Sequence, residues 1–552
     1  MATHVNLDAL IPREDFEAAA DEMVAPASLT TTMKISDLGA ENIAYTVLRK
    51  PDFQRETANW TPEKVAELVN SFLEGDLIPS VILWRSPSSG SIFVIDGAHR
   101  LSALIAWVQD DYGDSHASLR FFDSVIPDEQ KKAADATRKL IDATVGSYKK
   151  LSAALRNSDT VPKEQLRLAR NMHAFAIHLQ WVQGEAEKAE SSFFRINQKA
   201  TPIDQTELDM IRARRKPNAL AARAFIRAGT GHKYWSGFSG EKKEEIERIA
   251  KEVYDLLFKP SLDSPIKTGD LPVAGRGYSA DSVRMVFELV NFVNDIHPET
   301  WREDREDEGK KRRSRKTVDP SREPLADDVE GDATLKCMRA VRKVATRVSG
   351  NLPSSLGLHP AVYFYSATGR FQPAAFLATV ELIQDLEKRG KLREFTSMRA
   401  RFEEFLVEYK YFLNQLVRRY GSLQKSVAPM LAMYQAILNS VHAGRSGNDI
   451  VQDLKKLPAL EKTIEVLTEE DRKFGPTFSG KTKTAIYLKS ALERAERCGI
   501  CGARLSANSA TVDHIVRKQD GGLGTPSNGQ LSHPYCNSGF KESGQALLFS
   551  AS

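Results

Sequence analysis

The stretch SIFVIDGAHRLSALIAWVQ, residues 91–109, decides the fold of the N-terminal part of the chain. It begins with a β-rich apolar run, passes through an Asp-Gly pair, and continues with large apolar residues at helical spacing. This order predicts a buried strand, a sharp turn at Gly97 and an amphipathic helix. Three polar side chains fall at the turn, namely Asp96, His99 and Arg100. Polar groups between two apolar elements indicate either a binding site or a structural ion pair.

The segments around this turn complete an α/β domain. TPEKVAELVNSFLEG (61–75) has proline just inside its start and glycine at its end, which predicts a helix. IPSVILW (78–84) and SIFVI (91–95) flank the turn-prone RSPSSG and predict a hairpin. AFAIHLQWV (174–182) predicts a further strand, and residues 189–215 predict a helix, a loop and a second helix. We therefore end this domain near residue 215.

Composition restricts the class of protein only loosely. A chain of 552 residues with 41% hydrophobic content can bury several cores and is expected to have several domains. Its 77 basic and 73 acidic residues leave a net charge of +4, which neither requires nor excludes a nucleic-acid partner. The first residues lack the pattern of a targeting signal, and no stretch is apolar enough to span a bilayer. We expect a cytoplasmic protein with no membrane partner.

A helical region is predicted from about residue 216 to 490. PAAFLATVELIQDLEKRG (373–390) and MRARFEEFLVEYKYFLNQLVRRY (398–420) carry apolar stripes at helical spacing. The segment 302–323, REDREDEGKKRRSRKTVDPSRE, is dense in both charge signs and lacks large apolar residues apart from one valine, which predicts a mobile loop. Its KKRRSRK part could contact DNA, although a solvated loop is the favoured interpretation.

The cysteines indicate a metal site near the C-terminus. Cys498 and Cys501 form a C-x-x-C knuckle, His533 and Cys536 form an H-x-x-C knuckle, and 31 residues separate the two. In a reducing compartment such a pair predicts metal binding rather than disulfides, and four ligands of these types can close a tetrahedral zinc site. Cys337 stands alone and is expected to be an inert packing residue.

A second polar cluster is inserted between the knuckles. The β-rich run VDHIV carries Asp513 and His514, and Asn537 follows the second knuckle directly. Phosphodiester hydrolysis needs a base to deprotonate water and a divalent cation to stabilise the phosphate and the leaving oxygen. One aspartate, one histidine and one asparagine could provide both. A ribbon that only binds DNA or protein would have no use for this set.

This C-terminal segment, about residues 495–545, resembles the HNH (ββα-metal) nuclease module in its form with a zinc ribbon. The resemblance implies that His514 is the general base, that Asp513 and Asn537 hold a Mg²⁺-like ion, and that Asn528 holds the loop that orients His514. It rests on the residues already named and on the glycine pair 521–522, Asn528 and Lys541. His533 stands where the family usually has cysteine, and Asn537 where many members have histidine, which favours hard, oxygen-binding cations. Lys541 could contact phosphate, but a lysine on an exposed final helix is expected to be solvated.

The N-terminal region, about residues 45–210, resembles the ParB/sulfiredoxin-like domain. The resemblance rests on FQRETANW (53–60), VIDGAHRLSAL (94–104) and FFRINQKATPIDQTEL (193–208). That domain forms the N-terminal part of modification-dependent restriction enzymes of the GmrSD kind and of phosphorothioate-sensing defence nucleases. It is often joined to an HNH module. Ala98 replaces the usual glutamine of the family's Asp-Gly-Gln signature, so the family's nucleotide chemistry does not carry over to that position.

Two interpretations of the turn at 96–100 remain open. Gly97 permits a sharp turn, and the helix that follows offers unpaired N–H groups that suit an anion. Arg55 and Arg100 could hold phosphate, Asp96 could hold a cation or orient water, and Asn197 and His99 would complete a nucleotide- or phosphate-binding pocket. The alternative is a buried Asp–Arg pair that only braces the domain.

The sequence thus predicts an α+β multidomain protein with a ParB/sulfiredoxin-like α/β domain at 1–215, a helical middle region at 216–490 and an HNH module at 491–552. The expected function is a DNA endonuclease of prokaryotic antiviral defence that senses phage or modified double-stranded DNA. The expected cofactors are structural Zn²⁺, catalytic Mg²⁺ or Mn²⁺, and an NTP at the N-terminal domain. Whether that domain also hydrolyses the NTP is left open. A homo-oligomer is expected because one HNH site nicks one strand. The rivals are a ParB-like DNA-binding regulator with a non-catalytic ribbon and a mobile-element nuclease, which would leave the N-terminal domain without a role.

Overall fold

The computed structural model describes residues 4–14, 29–51, 54, 57, 60–87, 89–121, 126, 128–156, 161–184, 188–189, 192, 196, 205–229, 234–235, 237–262, 266–277, 280–297, 325–421, 423–467 and 477–541. The chain forms two compact units, here called the N-terminal unit (Met1–Glu247, Ser279–Phe287, Pro298–Thr334) and the C-terminal unit (Arg248–Tyr278, Glu288–His297, Leu335–Ser552). The expected mobile loop at 302–323 lies outside the described residues, as do Arg55 and Asn197.

In the part of the chain that the structure describes, the strands are short and fall into two sheets. They are β1 (Arg13–Glu14), β2 (Thr32–Lys34), β3 (Leu48–Pro51), β4 (Val81–Arg85), β5 (Ile92–Asp96), β6 (Ala176–Val182), β7 (Thr511–His514) and β8 (Gly529–Ser532). The helices among the described residues are α1 (Ile43–Thr46), α2 (Pro62–Glu74), α3 (Ala98–Gln109), α4 (His116–Phe121), α5 (Asp128–Thr144), α6 (Tyr148–Ala154), α7 (Lys163–Ala174), α8 (Gln205–Arg212), α9 (Pro217–Ile226), α10 (Gly240–Phe258), α11 (Ala280–Val293), α12 (Asp332–Val348), α13 (Pro360–Tyr363), α14 (Pro373–Lys388), α15 (Leu392–Glu408), α16 (Tyr411–Tyr420), α17 (Leu423–His442), α18 (Gly447–Lys455) and α19 (Gly480–Arg494).

The N-terminal unit contains a mixed six-stranded sheet in the order β1-β3-β5-β4-β6-β2. Strands β4 and β5 pair antiparallel, which confirms the predicted hairpin, whereas β3 pairs parallel to β5 and β6 pairs parallel to β4. The middle of the central strand β5 is buried, with Val94 and Ile95 fully enclosed. The continuous apolar run in this strand therefore reflects burial on both faces.

Helices α2 and α3 follow the sequence signals closely. Thr61 caps α2, Pro62 is its first residue, and Gly75 ends it in the left-handed conformation with φ 78°. Helix α3 begins at Ala98, immediately after Gly97 at φ 93°, and buries its apolar stripe in the core of the unit. The helix therefore starts earlier than its apolar spacing indicates, and His99 and Arg100 belong to its first turn.

The C-terminal unit is built mostly from helices, with the small antiparallel sheet β7-β8 near its end. The segment 398–420 does not form one helix: α15 ends at Glu408 and α16 begins at Tyr411. At this break the buried Lys410 ammonium donates to the carbonyl oxygens of Ala361 and Val362. After β8 the chain turns into a short helical segment, Cys536–Phe540, which completes a strand, strand and helix order. The fold is thus the predicted α+β combination.

Among the described residues, no helix combines the length and the apolar character that a membrane crossing needs.

Candidate active site and zinc site

Four potential metal ligands converge near the end of the chain. One ligand atom from each lies within 4.8 Å of the others, and all four residues are buried: Cys498, Cys501, His533 and Cys536. His533 Nδ1 lies 3.5 Å from Cys501 Sγ and 3.8 Å from Cys536 Sγ. A tetrahedral site with Zn–S near 2.3 Å and Zn–N near 2.0 Å requires ligand separations of roughly 3.5–3.8 Å. The donor set and its spacing therefore fit zinc.

The orientation of the histidine ligand is set by the backbone behind it. His533 Nε2 lies 3.1 Å from the carbonyl oxygen of Arg504, to which it can donate, so that Nδ1 is left as the ligand atom. Gly357, at φ 57°, approaches the ring so closely that a Cβ there would lie 3.1 Å from His533 Cδ2. These contacts fix the orientation of the imidazole ring.

A buried ion pair lies directly behind the ribbon. Arg399 and Glu403 on α15 are 2.7 Å apart, with side chains 1% and 0% exposed. Glu403 also accepts hydrogen bonds from the Tyr363 hydroxyl at 3.0 Å and from the Arg504 backbone N–H at 2.9 Å. Burial by itself would raise the pKa of the Glu403 carboxyl, but the Arg399 charge and the Arg504 N–H bring this pKa below its usual range. Sequence patterns did not reveal this pair.

The hairpin β7-β8 carries the predicted catalytic residues. Asp513 lies opposite Gln530 and His514 lies opposite Gly529 in the strand register. The Asp513 carboxylate is 7% exposed and accepts hydrogen bonds from Lys541 Nζ at 2.7 Å and from Gln530 Nε2 at 2.8 Å. Lys541 Nζ also donates to the carbonyl oxygen of His514.

The interpretation of Lys541 as a solvated side chain is therefore wrong, because its ammonium is held against the strand by an anion and a carbonyl. Its side chain is only 11% exposed. Gln530 was not singled out from the sequence either. Its position opposite Asp513 in the hairpin register is the signal that could have revealed it.

Asn528 closes the loop that follows β7. Its side-chain oxygen accepts from the Val516 N–H at 2.7 Å, and its amide donates to the carbonyl oxygens of Val516 at 3.1 Å and Leu523 at 2.8 Å. A Cβ at Gly522 would lie 1.9 Å from Val516 O, so this close approach requires glycine. The arrangement fits the loop-holding role that the HNH resemblance implies for Asn528.

Asn537 is brought to the same hairpin by the helical segment that follows β8. Its amide donates to the carbonyl oxygen of Val512 at 3.2 Å, one residue before Asp513. The fold thus gathers Asp513, His514 and Asn537 around one strand, and Asn537 is covalently next to the zinc-site residue Cys536. A carboxylate, an imidazole and an amide so placed can hold a hard divalent cation and accept a proton from water.

At the N-terminal turn, Asp96 and Arg100 form an ion pair of 2.8 Å with side chains 32% and 22% exposed. Arg100 also donates to the carbonyl oxygen of Ser80 at 3.2 Å. His99 stacks on Trp60, with ring centroids 5.9 Å apart and an angle of 27° between the planes. The Asp–Arg pair of the bracing interpretation is present but partly exposed, so the bracing role and the binding role both stay open. The fold brings three of the five predicted pocket residues together, and Arg55 and Asn197 lie outside the described residues.

The same unit contains a cluster of buried cations that no sequence pattern predicted. The fully buried Asp8 carboxylate pairs with Lys50 at 2.6 Å, Arg13 at 2.8 Å and Arg227 at 3.3 Å. Although burial would raise the pKa of Asp8, these three cations bring it well below its usual value. Arg13 also donates to the carbonyl oxygen of Gln54, the residue before Arg55. The cluster therefore holds the backbone at Gln54.

Comparison with known proteins agrees with both resemblances. Residues 35–214 match the family model described as GmrSD restriction endonuclease, N-terminal domain, and residues 498–540 match the model described as HNH endonuclease. These domains define a restriction-type DNA endonuclease. In particular, the chain joins a GmrSD-type N-terminal domain to a C-terminal HNH nuclease domain, as its motifs predict. No curated protein and no solved structure matches the chain.

Proposed function

We propose that this protein is a modification-dependent DNA endonuclease of prokaryotic antiviral defence, which cuts phosphodiesters with a one-metal HNH site. The observation that carries the proposal is the gathering of Asp513, His514 and Asn537 around strand β7, beside the buried Cys₃His set. A ParB-like regulator with a non-catalytic ribbon would need only the Cys₃His set.

Each side chain has a role in the proposed reaction. His514 accepts the proton of the attacking water, and Asn528 holds the loop after His514 in place. Asp513 and Asn537 would hold Mg²⁺ or Mn²⁺, which supplies charge stabilisation for the phosphate and the leaving oxygen. Lys541 and Gln530 fix the position of the Asp513 carboxylate. Structural zinc would be held by Cys498, Cys501, His533 and Cys536.

The N-terminal domain would act as the sensor. The first turn of α3, with Asp96, His99 and Arg100, would bind an anion together with Arg55 and Asn197, either a nucleotide or the backbone of modified DNA. Such a ligand could regulate the nuclease only if it binds the active and the restrained states with different affinity. NTP hydrolysis there, cleavage of phage DNA and assembly into a homo-oligomer that cuts both strands are parts of the same proposal.

A plasmid-nicking assay with Mg²⁺ tests the nuclease assignment. His514→Ala should lower the nicking rate by about 10²- to 10⁴-fold with an unchanged thermal melt, since a general base contributes that much. Asn537→Ala should lower activity in a way that raised Mn²⁺ partly restores. His442→Ala, at an exposed histidine of the same unit, is the control and should nick as the parent does. Equal rates for His514→Ala and the parent protein would overturn the assignment, and comparing modified with unmodified plasmid tests the modification dependence.

A phage-plating assay tests the sensor. Asp96→Ala and Arg100→Ala should abolish protection. The free energy of unfolding of the purified variants should stay within about 1 kcal/mol of the parent's, because a partly exposed pair contributes little stability. Arg138→Ala removes a comparably exposed arginine from its pairs with Asp110 and Asp114 and should retain protection. Protection by the Asp96 and Arg100 variants equal to that of Arg138→Ala would refute the sensor role.

A further inference from the structure

Helix α19 (Gly480–Arg494), which precedes the zinc-site residues, has two unlike faces. Its buried face consists of Thr484, Leu488 and Leu492, which recur every four residues and are each no more than 6% exposed. These residues anchor the helix in the C-terminal unit. The opposite face is exposed to solvent and carries polar, charged and aromatic side chains. Packing of the helix does not use these exposed side chains, so their pattern can reflect an interaction with a partner.

The cations of this helix have no carboxylate partners among the described residues. All four are exposed, and no carboxylate oxygen lies within 4.0 Å of their side-chain nitrogens: Lys481, Lys483, Lys489 and Arg494. The single carboxylate of the helix, Glu493, lies one turn after Lys489 and still does not pair with it. The cations of α19 therefore exceed its carboxylates by three, and their charge is open to an external anion.

Two of these cations form a row with a tyrosine. Lys483, Tyr487 and Arg494 are spaced four and seven residues apart, so they lie on nearly the same side of the helix. Tyr487 is 46% exposed, and the adjacent Ile486 is 51% exposed. The row extends over roughly 16 Å, and a DNA duplex presents about ten phosphate charges over that length. Because lysine, arginine and tyrosine all donate hydrogen bonds to phosphate oxygens, the row suits a segment of duplex backbone.

The buried face of α19 argues against an anionic membrane as the partner of this row. A basic helix binds a membrane surface by inserting a broad apolar face between the lipids. In α19 the apolar face is already packed inside the protein through Leu488 and Leu492. Ile486 and Tyr487 alone provide too little apolar area for insertion. Binding to nucleic-acid phosphates needs no apolar face, so DNA is the better match.

The end of α19 is attached to the HNH segment. Arg494 lies four residues before Cys498, so their Cα atoms are at most about 14 Å apart. Arg504 Nε donates to the carbonyl oxygen of Leu492 at 3.0 Å, and the Arg504 carbonyl oxygen lies 3.1 Å from His533 Nε2. One residue thus contacts both the helix and a candidate zinc ligand. A duplex bound along the row would therefore lie next to the HNH segment.

We infer that the exposed face of α19 binds the sugar-phosphate backbone of the DNA substrate, with Lys483 and Arg494 as its phosphate contacts and Tyr487 between them. This inference rests on the proposed nuclease function and adds a substrate-binding surface outside the catalytic residues. Backbone contacts of this kind hold the duplex in position without reading its sequence.

The salt dependence of DNA binding tests the inference. Full-length, zinc-loaded protein is titrated into a fluorescently labelled duplex of about 30 base pairs at about 50 to 200 mM salt, without added divalent ion so that the DNA stays intact. Each lost phosphate contact lowers the slope of log K against log salt by about 0.9. Lys483→Gln/Arg494→Gln should therefore lose about 1.8 from the slope, and its affinity deficit relative to the parent should shrink about 12-fold over this range. Arg419→Gln/Lys462→Gln removes the same charges from exposed positions that likewise lack a carboxylate partner among the described residues, and it should keep the parent slope.

Nicking and vesicle-binding assays on the same preparations separate this inference from the proposed function. If the parent protein nicks DNA and Lys483→Gln/Arg494→Gln keeps the parent slope, or if both double variants lose slope equally, the assignment of α19 is wrong and the nuclease stands. If that variant loses only binding to vesicles that contain phosphatidylserine, the face belongs to a membrane and the inference fails. A parent protein that neither binds nor nicks DNA would overturn both. Should the double variant melt early, Lys483→Gln alone replaces it, with an expected slope loss of about 0.9.

Discussion

Substitution of Glu403 by glutamine tests whether the zinc ribbon depends on the helices behind it. Three donors converge on this carboxylate, from Arg399, Tyr363 and the Arg504 backbone, and glutamine has a single acceptor oxygen for them. The change also leaves the Arg399 guanidinium buried without its counter-charge, since that side chain is 1% exposed. Breaking a buried pair in this way costs about 3–5 kcal/mol.

Two measurements report this cost. The first is the melting temperature of the C-terminal unit, which has roughly 260 residues. With an unfolding entropy near 2.1 cal/mol/K per residue, a loss of about 3–5 kcal/mol lowers Tm by about 6–9 °C. The second is zinc loss to a colorimetric chelator. Glu403 accepts from the Arg504 N–H, and the Arg504 carbonyl oxygen lies within hydrogen-bond distance of His533, the proposed zinc ligand. If zinc escapes only when this segment opens, the rate of release at neutral pH should rise by about 100-fold for 3 kcal/mol.

The neighbouring glutamate provides a matched control. Glu404 is 57% exposed and pairs with Arg497 at 3.3 Å on the surface. Glu404→Gln should change the free energy of unfolding by no more than about 0.5 kcal/mol. Equal zinc-release rates for Glu403→Gln, Glu404→Gln and the parent protein would refute the coupling between the ion pair and the ribbon.

Two further predictions concern zinc and pH. Cys498→Ser should reduce bound zinc from one equivalent to below about half and unfold the HNH segment, since structural zinc supplies folding free energy, whereas Cys337→Ser should retain the full equivalent. Asp8→Asn should destabilise the N-terminal unit by about 3–5 kcal/mol at neutral pH, because three buried cations lose their counter-charge, and Asp76→Asn at an exposed position should not. The pKa of Asp8 is lowered in the fold, so its contribution is present above the ordinary aspartate pKa and is lost as pH falls through the folded value. The difference in unfolding free energy between parent and Asp8→Asn should therefore narrow below about pH 4. Tryptophan fluorescence measures it, because the five tryptophans that the structure describes belong to that unit, and a difference that stays constant contradicts this assignment.

Local sequence patterns were sufficient to predict those elements and candidate ligands whose residues lie close together in the chain. The zinc knuckles, the strand with Asp513 and His514, and the strand–turn–helix at Gly97 are each defined within about twenty residues. Family resemblance then supplied the roles of Asn528 and Asn537, which their hydrogen bonds fit. The three-domain division at 215 and 490 stays a prediction, as do the catalytic roles.

Contacts between distant parts of the chain were beyond such patterns. Asp8 pairs with Arg227 across 219 residues, and Glu403 accepts from Arg504 across 101 residues. Nothing in the local composition around these residues distinguishes them from solvated charges. Lys541 was misjudged for the same reason, because its partner Asp513 lies 28 positions away. Burial decides the role of a charged side chain, and burial depends on the tertiary fold.

The two polar sets of the HNH segment are linked through the chain itself. The zinc-site residue His533 follows the last residue of β8, and Asn537 follows the zinc-site residue Cys536 directly. An ion bound by the four ligands therefore fixes the end of the hairpin and the position of Asn537. It does so without contacting the phosphate of the DNA substrate. Loss of zinc should therefore abolish nicking as completely as loss of His514, but by a different route. The His514 variant retains its fold and its zinc, whereas a ribbon without zinc loses the geometry that places Asn537 beside Asp513.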